Sequence, residues 1–327
     1  MCINTLNLNK MKFSILIPAF KQKYLHEAIA SCLSQTYNDF EVIVVDDASP
    51  EDLKSVIDDF HDSRIKFYRN KNNCGAVNVV DNWNICLSYA HGDYVICMGD
   101  DDMLMPHCLE EYVKLFEKYP NLGVYHAWTE LIDEFSNMFE LQAPRQEWES
   151  VYSLIWNRWN GRLNQFIGDF CFDTKLLRQD GCFYKLPLAW GSDDISAVRA
   201  ALKGGVANTQ KVCFRYRVNS NTISNTGNNE IKIEAILQER TWYQELIAKV
   251  LDKPHNENDE KFFHCIKLSM PQYYAKKIRN TLAEDISQNP LHVFKWLSQT
   301  NRLGISKLQV VYCALLSFKK GVMQKVR

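Results

Sequence analysis

Short apolar runs alternate with amphipathic stretches along the first third of the chain. The runs at 13–20 (FSILIPAF), 40–47 (FEVIVVDD) and 93–98 (DYVICM) predict buried strands, and 64–69 (RIKFYR) alternates like a strand. Between these runs, apolar residues recur three and four positions apart, which is typical of helices with one buried face. Strand and helix alternation of this kind predicts a parallel, doubly wound α/β sheet.

The pattern changes twice further along the chain. From Gly123 to about Gly227 it becomes less regular and rich in aromatic residues, and beyond Asn228 it is mostly helical. The 327 residues exceed one ordinary domain. The predicted organisation is a disordered leader at 1–10, with Met11 as an alternative start, an α/β domain at 11–226 with halves at 11–110 and 111–226, and a helical extension at 227–327.

Composition and charge narrow the class of protein. Hydrophobic residues make up 46% and charged residues 24% of the chain, and the net charge is −1, which indicates a globular protein and argues against nucleic acid as a partner. The eleven cysteines form no C-x-x-C pair, and residues 1–10 lack the apolar core of a signal peptide. We therefore expect a cytoplasmic protein with reduced thiols.

Acidic residues follow two of the predicted strands. Asp46 and Asp47 end one strand, and the run Asp100–Asp102 follows another. In open α/β sheets ligands bind beyond the carboxyl ends of the strands, so both groups are expected at one site. Mg²⁺ or Mn²⁺ takes one or two carboxylates there and leaves other positions to phosphate oxygens and water. The alternative is a solvated acidic turn that caps the helix starting near Pro106.

Three segments in this order resemble a known family. FSILIPAF, VIVVDDAS (42–49) and GDYVICMGDDDMLMP (92–106) are similar to the signature of the inverting GT-A glycosyltransferases of family two, over about 11–226. The resemblance implies a Rossmann-like, mixed and mostly parallel sheet flanked by helices, with a C-terminal helical extension. It implies metal-assisted transfer, with inversion, of one hexosyl or N-acetylhexosaminyl unit from a nucleotide-diphosphate sugar to a glycan or lipid-linked acceptor.

The resemblance also implies which residues bind the nucleotide. Asp47 matches the aspartate that hydrogen-bonds a uracil-type base, with Asp46 beside it, and UDP is the commonest donor nucleotide, although dTDP and GDP stay open. Trp83 stands where an arginine is common. The implied nucleotide-binding set is Pro18, Ala19, Phe20, Asp46, Asp47, Gly75, Asn84 and Asp100.

For the metal, the family's ligand corresponds to Asp101, and Asp102 is a direct or supporting ligand. Gly99 departs from the family pattern, because many members carry the first aspartate of D-x-D there. Coordination of Mg²⁺ or Mn²⁺ is therefore expected to depend mainly on one carboxylate.

Inverting transfer needs a base that removes the proton of the acceptor hydroxyl. Asp193 and Asp194 occupy the position of the family's E-D motif, and the spacing to Arg199 leaves open which of them is the base. A helix N-cap is the structural alternative. Arg217 corresponds to a Y-R segment of the family and is expected either at the diphosphate or acceptor, or in a structural ion pair.

The processive Q-x-x-R-W motif is absent, which favours transfer of a single sugar. From Arg302 onward the chain is basic and its apolar residues follow an amphipathic pattern, which predicts either docking on the α/β domain or peripheral contact with the inner face of the cell membrane.

Two other functions are alternatives to glycosyl transfer. A nucleotidyltransferase would have a glycine-rich basic loop after the first strand, whereas AFKQKYLHEA has no glycine, and a catalytically inactive sugar-binding scaffold would lack working aspartates.

Overall fold

A computed structural model describes residues 11–219, 228–254 and 256–324, with side chains described as far as residue 317. The predicted leader at 1–10 and the predicted boundary at 226/227 lie outside these ranges. The described chain forms two compact units. The first contains residues 11–185 and 192–219, and the second contains residues 186–191 and 228–324.

The first half of the first unit is a parallel sheet. Its strands are β1 (Phe13–Ala19), β2 (Phe40–Asp46), β3 (Ile65–Arg69) and β4 (Tyr94–Cys97), in the order β3-β2-β1-β4. All seven residues of β2 are buried. A parallel strand covered on both faces must be apolar throughout, which is why this segment reads as one continuous apolar run.

The sheet becomes mixed beyond β4. The further strands are β5 (Met103–Leu104), β6 (Val124–Ile132), β7 (Met138–Leu141), β8 (Trp148–Glu149), β9 (Phe170–Asp173) and β10 (Val206–Arg217). The order continues β4-β9-β6-β10-β5, with β7 paired to β6 and β8 paired to β10. Strand β9 is antiparallel to both of its neighbours, and β10 is parallel to β6.

Helices flank the sheet where the apolar spacing predicts them. They are α1 (Leu25–Leu33), α2 (Leu53–Asp58), α3 (Val79–Tyr89), α4 (Cys108–Lys118), α5 (Val151–Trp159), α6 (Thr174–Gln179) and α7 (Ser192–Ala201). Helix α4 packs its aromatic face on the sheet, since the ring of Phe116 stacks on Tyr94 at 3.9 Å and on Phe13 at 5.7 Å. Such stacking fixes helix and strands together in one core.

The register of the parallel strands brings their carboxyl ends to one edge. Ala19 pairs with Asp46 across β1 and β2, and Leu16 pairs with Cys97 across β1 and β4. The N–H of Met98 then donates to the carbonyl of Leu16 at 2.9 Å. Whatever follows these three strands is therefore gathered at the same edge.

The second unit is helical. It contains α8 (Asn229–Lys249), α9 (Glu257–Gln288), α10 (His292–Ser298), α11 (Thr300–Leu303) and α12 (Lys307–Gln324). Helix α9 packs against α8 and α12 around buried Tyr243, Tyr274 and Trp296. The indole N–H of Trp296 donates to Asp285 at 2.7 Å, which satisfies its polar end. Among the described residues, none of the helices is both long and apolar enough to cross a bilayer.

Candidate functional site

Most of the residues predicted to bind a nucleotide meet at the carboxyl edge of β1, β2 and β4: Pro18, Ala19, Phe20, Asp46, Asp47 and Asp100. The N–H of Asp47 donates to the carbonyl of Ala19 at 2.9 Å, and the hydroxyl of Ser49 donates to the carbonyl of Phe20 at 2.6 Å. Phe20 itself is exposed. The segments 18–20 and 46–49 thus form one continuous wall.

Asp100 joins the turn after β4 to the turn after β1. Its Oδ2 accepts hydrogen bonds from the N–H groups of Phe20 and Lys21, each at 2.7 Å. Burial and the neighbouring Asp101 raise the pKa of Asp100 to about 6, although both N–H groups oppose the shift. Asp100 therefore fixes the relative position of two segments of the site.

Asp47 organises a loop of the site. Its carboxylate accepts from Asn70 Nδ2 at 2.8 Å and from the N–H of Cys74 at 2.9 Å, and its carbonyl accepts from Asn73 at 2.6 Å. Gly75 follows with a φ of +78°, a conformation that favours glycine. The nucleotide-binding prediction for Asp47 and Gly75 thus concerns residues that are adjacent in space.

Asp46 is fully buried and faces a different set of partners. One oxygen accepts the N–H of Ser49 at 2.7 Å, and the other forms an ion pair with Arg69. Arg69 also donates to the carbonyl of Ser49 at 2.8 Å. The carboxylate of Asp46 is thus engaged within the protein and braces the turn that presents Asp47.

The two candidate metal ligands differ in their surroundings. Asp101 is half-buried and its Oδ2 accepts from Asn219 Nδ2 at 2.7 Å. Asp102 is buried, and its oxygens accept from the N–H groups of Arg217 at 2.9 Å and Gly99 at 3.3 Å. Burial raises the pKa of both carboxyls, and the charge of Asp101 adds to the shift at Asp102.

The packing of the next two aspartates explains why position 99 is a glycine. A Cβ atom there would lie 2.8 Å from Asp101 Oδ1 and 2.9 Å from Asp102 Oδ2. Both carboxylates fold back over the glycine, in space that any larger side chain would occupy. The glycine that replaces the first aspartate of D-x-D thus leaves room for the carboxylates of Asp101 and Asp102.

The donor set fits a hard divalent cation that is only partly coordinated by protein. Crowded carboxylates with raised pKa values are the groups that a cation stabilises in the charged form. In 11–219, 228–254 and 256–324, no three His, Cys, Asp or Glu side chains are grouped to hold an ion by themselves. A cation at Asp101 and Asp102 would therefore complete its shell with other oxygen ligands, as Mg²⁺ commonly does.

Arg217 is an internal anchor in this structure. It is 1% exposed, and its Nε donates to the carbonyl of Asp101 at 2.7 Å. Its Nη1 donates to the carbonyl of Asp133 at 3.0 Å and its Nη2 to Glu27 at 2.9 Å, while the guanidinium lies 4.1 Å above the ring of Tyr24. These contacts favour the structural ion pair over a contact with the diphosphate or acceptor.

The two adjacent aspartates at the start of α7 have different environments. Asp194 is buried, and both of its oxygens accept from Arg158 Nε, at 2.9 and 3.1 Å. Asp193 is half-buried and acts on Tyr216. Burial, Asp102, Asp101 and Asp193 together raise the pKa of that phenol. Asp193 thus shares a neighbour with the metal-ligand candidates, whereas Asp194 is held by Arg158.

Asn84 makes a reciprocal contact with the backbone. Its Nδ2 donates to the carbonyl of Phe183 at 3.2 Å, and its Oδ1 accepts the N–H of Phe183 at 3.0 Å. Trp83 is 8% exposed and packs edge-to-face on the Phe183 ring at 5.9 Å. Both residues join α3 to the segment before α7, so the nucleotide contact predicted for Asn84 would require it to exchange partners.

Several site residues were not predicted from the sequence. Tyr216 precedes Arg217 in the Y-R segment and Cys74 precedes Gly75, so both lie beside predicted site residues. Asn70 has a local signal too, since a polar residue directly after a predicted strand marks the same sheet edge. The others are placed by partners distant along the chain. The set is Tyr24, Glu27, Arg69, Asn70, Cys74, Arg158, Tyr216 and Asn219.

Comparison with known sequences agrees with this geometry. The family described as glycosyl transferase family 2 matches residues 14–183, more than half of the chain. The putative glycosyltransferase EpsE of Bacillus subtilis is 33% identical over 128 residues, which is 38% of this chain and 45% of EpsE. The GalNAc(5)-diNAcBac-PP-undecaprenol beta-1,3-glucosyltransferase of Campylobacter jejuni is 39% identical over 131 residues, 39% of this chain and 40% of that protein. Each match spans less than half of the relative.

Comparison with solved structures extends over both units. The structure of S. aureus TarS 1-349 in complex with UDP-GlcNAc aligns with a TM-score of 0.63 over 95% of this chain and 92% of that chain, at 15% identity. At this identity the likeness concerns the fold, and it confirms the predicted GT-A fold with C-terminal helices. The family match over residues 14–183, more than half of the chain, shows that this chain belongs to glycosyl transferase family 2.

Proposed function

We propose that the protein transfers a single hexosyl or N-acetylhexosaminyl unit, with inversion, from a UDP-sugar to a glycan or lipid-linked acceptor, assisted by Mg²⁺ or Mn²⁺. The observation that carries this proposal is the gathering of acidic side chains at the carboxyl edge of β1, β2 and β4. Asp47 follows β2 and holds the loop at 70–75, and Asp100 follows β4 and holds the turn after β1, with Asp101 and Asp102 beside it.

The known proteins support a nucleotide-sugar donor. The structural neighbour TarS was solved with UDP-GlcNAc and with UDP, and the Campylobacter jejuni relative is named for a glucosyl transfer to an undecaprenol-linked glycan. Because these proteins share the fold or less than half of their length with this chain, their ligands guide the choice of substrate class.

In this proposal the nucleotide lies against the wall formed by 18–20 and the loop at 70–75. Asp47 holds that loop through hydrogen bonds from Asn70 and Cys74, and by the family resemblance it is the aspartate that hydrogen-bonds the base. Asp100 supports the opposite side, because it holds the N–H groups of Phe20 and Lys21. Both carboxylates thus fix backbone segments of the proposed nucleotide site.

Asp101, with Asp102 in support, would hold the cation. When bound, the ion offsets the negative charge that develops on the leaving diphosphate. The protein's part is to keep the two carboxylates folded over Gly99 and to hold Asp102 through the N–H of Arg217. The diphosphate and water would supply the other ligands.

We assign the base to Asp193. A base must reach the acceptor hydroxyl, and the carboxylate of Asp193 is half-buried, whereas both oxygens of Asp194 are occupied by Arg158. As the acceptor oxygen attacks the anomeric carbon from the face opposite the diphosphate, its proton passes to Asp193. The bond from the anomeric carbon to the diphosphate breaks, so the configuration inverts. Asp194 acts as a positioning residue for α7.

Nucleotide binding and turnover test this proposal. We expect Mn²⁺ with UDP to raise the melting temperature more than either alone, and UDP to be released from one member of a panel of UDP-sugars in the presence of a suitable acceptor. Asp101→Asn should abolish the Mn²⁺-dependent part of the shift, whereas Glu117→Gln, on an exposed position of α4, should leave it unchanged. Equal shifts for Asp101→Asn and wild type would refute the metal assignment, and a larger shift with dTDP or GDP would replace UDP as the donor nucleotide.

A further inference from the structure

The helical second unit contains a cavity of its own. The cavity has a volume of about 190 Å³, is lined by α8, α9 and the end of α11, and opens partly to solvent. Since an apolar cavity of about 150 Å³ is large enough for benzene, this one has room for a ligand of about ten non-hydrogen atoms. Its lining includes Arg240, Gln244, Met270, Tyr274, Ala275 and Leu303. We call it the α8–α9 cavity.

The inner part of the α8–α9 cavity is apolar. Tyr274 is 1% exposed and Leu303 is fully buried, and Met270 and Ala275 are half-buried beside them. Contact with such side chains removes the apolar surface of a ligand from water. This part of the lining therefore suits an aromatic or aliphatic group.

Arg240 gives the cavity a positive charge. Among the described residues that line the cavity, it alone is charged. Its Nη1 donates to the carbonyl of Leu303 at 2.9 Å, and its Nη2 donates to the carbonyl of Arg302 at 3.3 Å. These bonds use two of the five N–H groups of a guanidinium. The guanidinium is thus held in place and keeps N–H groups for a further acceptor.

The acidic residues close to Arg240 along α8 are engaged elsewhere. Glu239 pairs with Lys277, and Glu234 pairs with Arg302. Over the described side chains, 11–219, 228–254 and 256–317, Arg240 forms no ion pair with a carboxylate. Because a half-buried guanidinium binds carboxylate and phosphate groups through strong, charge-assisted hydrogen bonds, Arg240 is suited to an anionic group of a ligand.

We propose that the α8–α9 cavity binds a small organic anion, with its carboxylate or phosphate group on Arg240 and its apolar body against Met270 and Tyr274. Gln244 is exposed where it lines the cavity and offers an amide group to a polar substituent of the ligand. Because the whole lining belongs to the second unit, the inference does not depend on sugar transfer.

Fluorine NMR of three probes with the full chain tests the proposal. The anions para-fluorobenzoate and para-fluorophenyl phosphate are expected to bind in the millimolar range, as ligands of about ten atoms do. The neutral para-fluorobenzamide should bind about tenfold more weakly, because it lacks the charge-assisted hydrogen bonds. The tighter of the two anions identifies the group that the cavity prefers. Equal binding of the neutral probe would overturn the proposal.

A matched pair of arginine variants tests the role of the guanidinium. Arg240→Gln should bind both anions about tenfold more weakly and the neutral probe as wild type does. Arg279→Gln changes a half-buried arginine of α9 that does not line the cavity, and it should bind all three probes as wild type does. Equal losses in the two variants would contradict the assignment to Arg240.

A third variant tests the cavity itself. Ala275→Leu should fill the space and abolish binding of all three probes, and it leaves the hydrogen bonds of Arg240 in place. It therefore decides the outcome if Arg240→Gln fails to fold. Full anion binding by Ala275→Leu would overturn the proposal. Displacement of the anions by UDP with Mn²⁺ would do so as well, because it would place them in the proposed nucleotide site.

Discussion

The Nε of Arg217 donates to the carbonyl oxygen of Asp101 at 2.7 Å, across 116 positions of the sequence. The N–H of the same residue donates to the carboxylate of Asp102. The end of β10 therefore holds both the backbone and a side chain of the acidic turn that follows β4. A change at Arg217 is expected to act on the site through this turn.

Arg217→Lys should destabilise the protein by about 3 kcal/mol, because lysine cannot replace the several hydrogen bonds of a buried guanidinium and would leave Glu27 and two carbonyls without partners. Urea denaturation measures the loss. Arg215, two positions earlier on β10, pairs with Glu130 in a more exposed place. Arg215→Lys should therefore lower the free energy of unfolding by about 1 kcal/mol or less. Equal costs for the two variants would contradict the anchoring role.

Gly99→Ala tests the packing of the carboxylates over the glycine. The new Cβ would displace Asp101 Oδ1 or Asp102 Oδ2, which now lie within 3 Å of that position. We expect the Mn²⁺-dependent affinity for UDP to fall by about tenfold, which is about 1.4 kcal/mol, while UDP without metal binds unchanged. Titration calorimetry with and without Mn²⁺ measures both.

The control for this change is Gly181→Ala. Its φ of +90° makes alanine unfavourable by about 1 kcal/mol, but nothing lies within 4 Å of the added Cβ. A lower melting temperature without a change in metal-dependent binding is therefore expected. Loss of binding in both variants would point to general destabilisation.

Asp193→Asn and Asp194→Asn should separate chemistry from positioning. If Asp193 is the base, its amide variant loses about 10²-fold or more in kcat with little change in stability. Asp194→Asn should instead destabilise the fold by about 3 kcal/mol, since Arg158 loses its buried partner. Turnover and urea denaturation of each variant, measured at the same pH, separate the two roles. The reverse pattern would assign the base to Asp194.

Glu41 gives the fold a dependence on pH. Burial opposes its charge, but hydrogen bonds from Ser14 Oγ at 2.6 Å and from the N–H of His91 at 2.7 Å, with Lys12 nearby, hold the pKa of Glu41 below its ordinary value. The ionised form is thus favoured in the folded protein. The stability it contributes is present above the unfolded pKa of about 4.3 and is lost as the pH falls through the lower folded value.

Glu41→Gln should therefore be less stable than wild type at pH 6, and the difference in unfolding free energy should shrink as the pH is lowered toward 3. Urea denaturation over this range measures it. Glu117→Gln, at an exposed position, should follow wild type at every pH. A difference for Glu41→Gln that is constant with pH would show that hydrogen bonding alone, without ionisation, accounts for the effect.

Much of the half at 11–110 is determined by local sequence. Continuous apolar runs predict β1, β2 and β4 because parallel strands covered on both faces tolerate few polar residues, and the acidic residues directly after them must then lie at the shared edge. The GT-A fold and the family also follow from these segments. These features depend on the spacing of apolar residues and the order of the segments along the chain, so a single sequence is enough to predict them.

The tertiary structure decided what each acidic or basic side chain faces. Asp194 pairs with Arg158, 36 positions away in the sequence, whereas Asp193 contributes to the raised pKa of Tyr216. Arg217 is buried in contact with Glu27, Tyr24 and Asp133. The carboxylates of Asp101 and Asp102 pack over Gly99. The tertiary structure also exposed Leu308, Val311, Tyr312 and Leu315 of α12, a stripe for which the sequence left docking on the α/β domain and contact with the membrane as alternatives. Local patterns fix which face of an element is buried, but the partner of a charged side chain depends on the path of the whole chain.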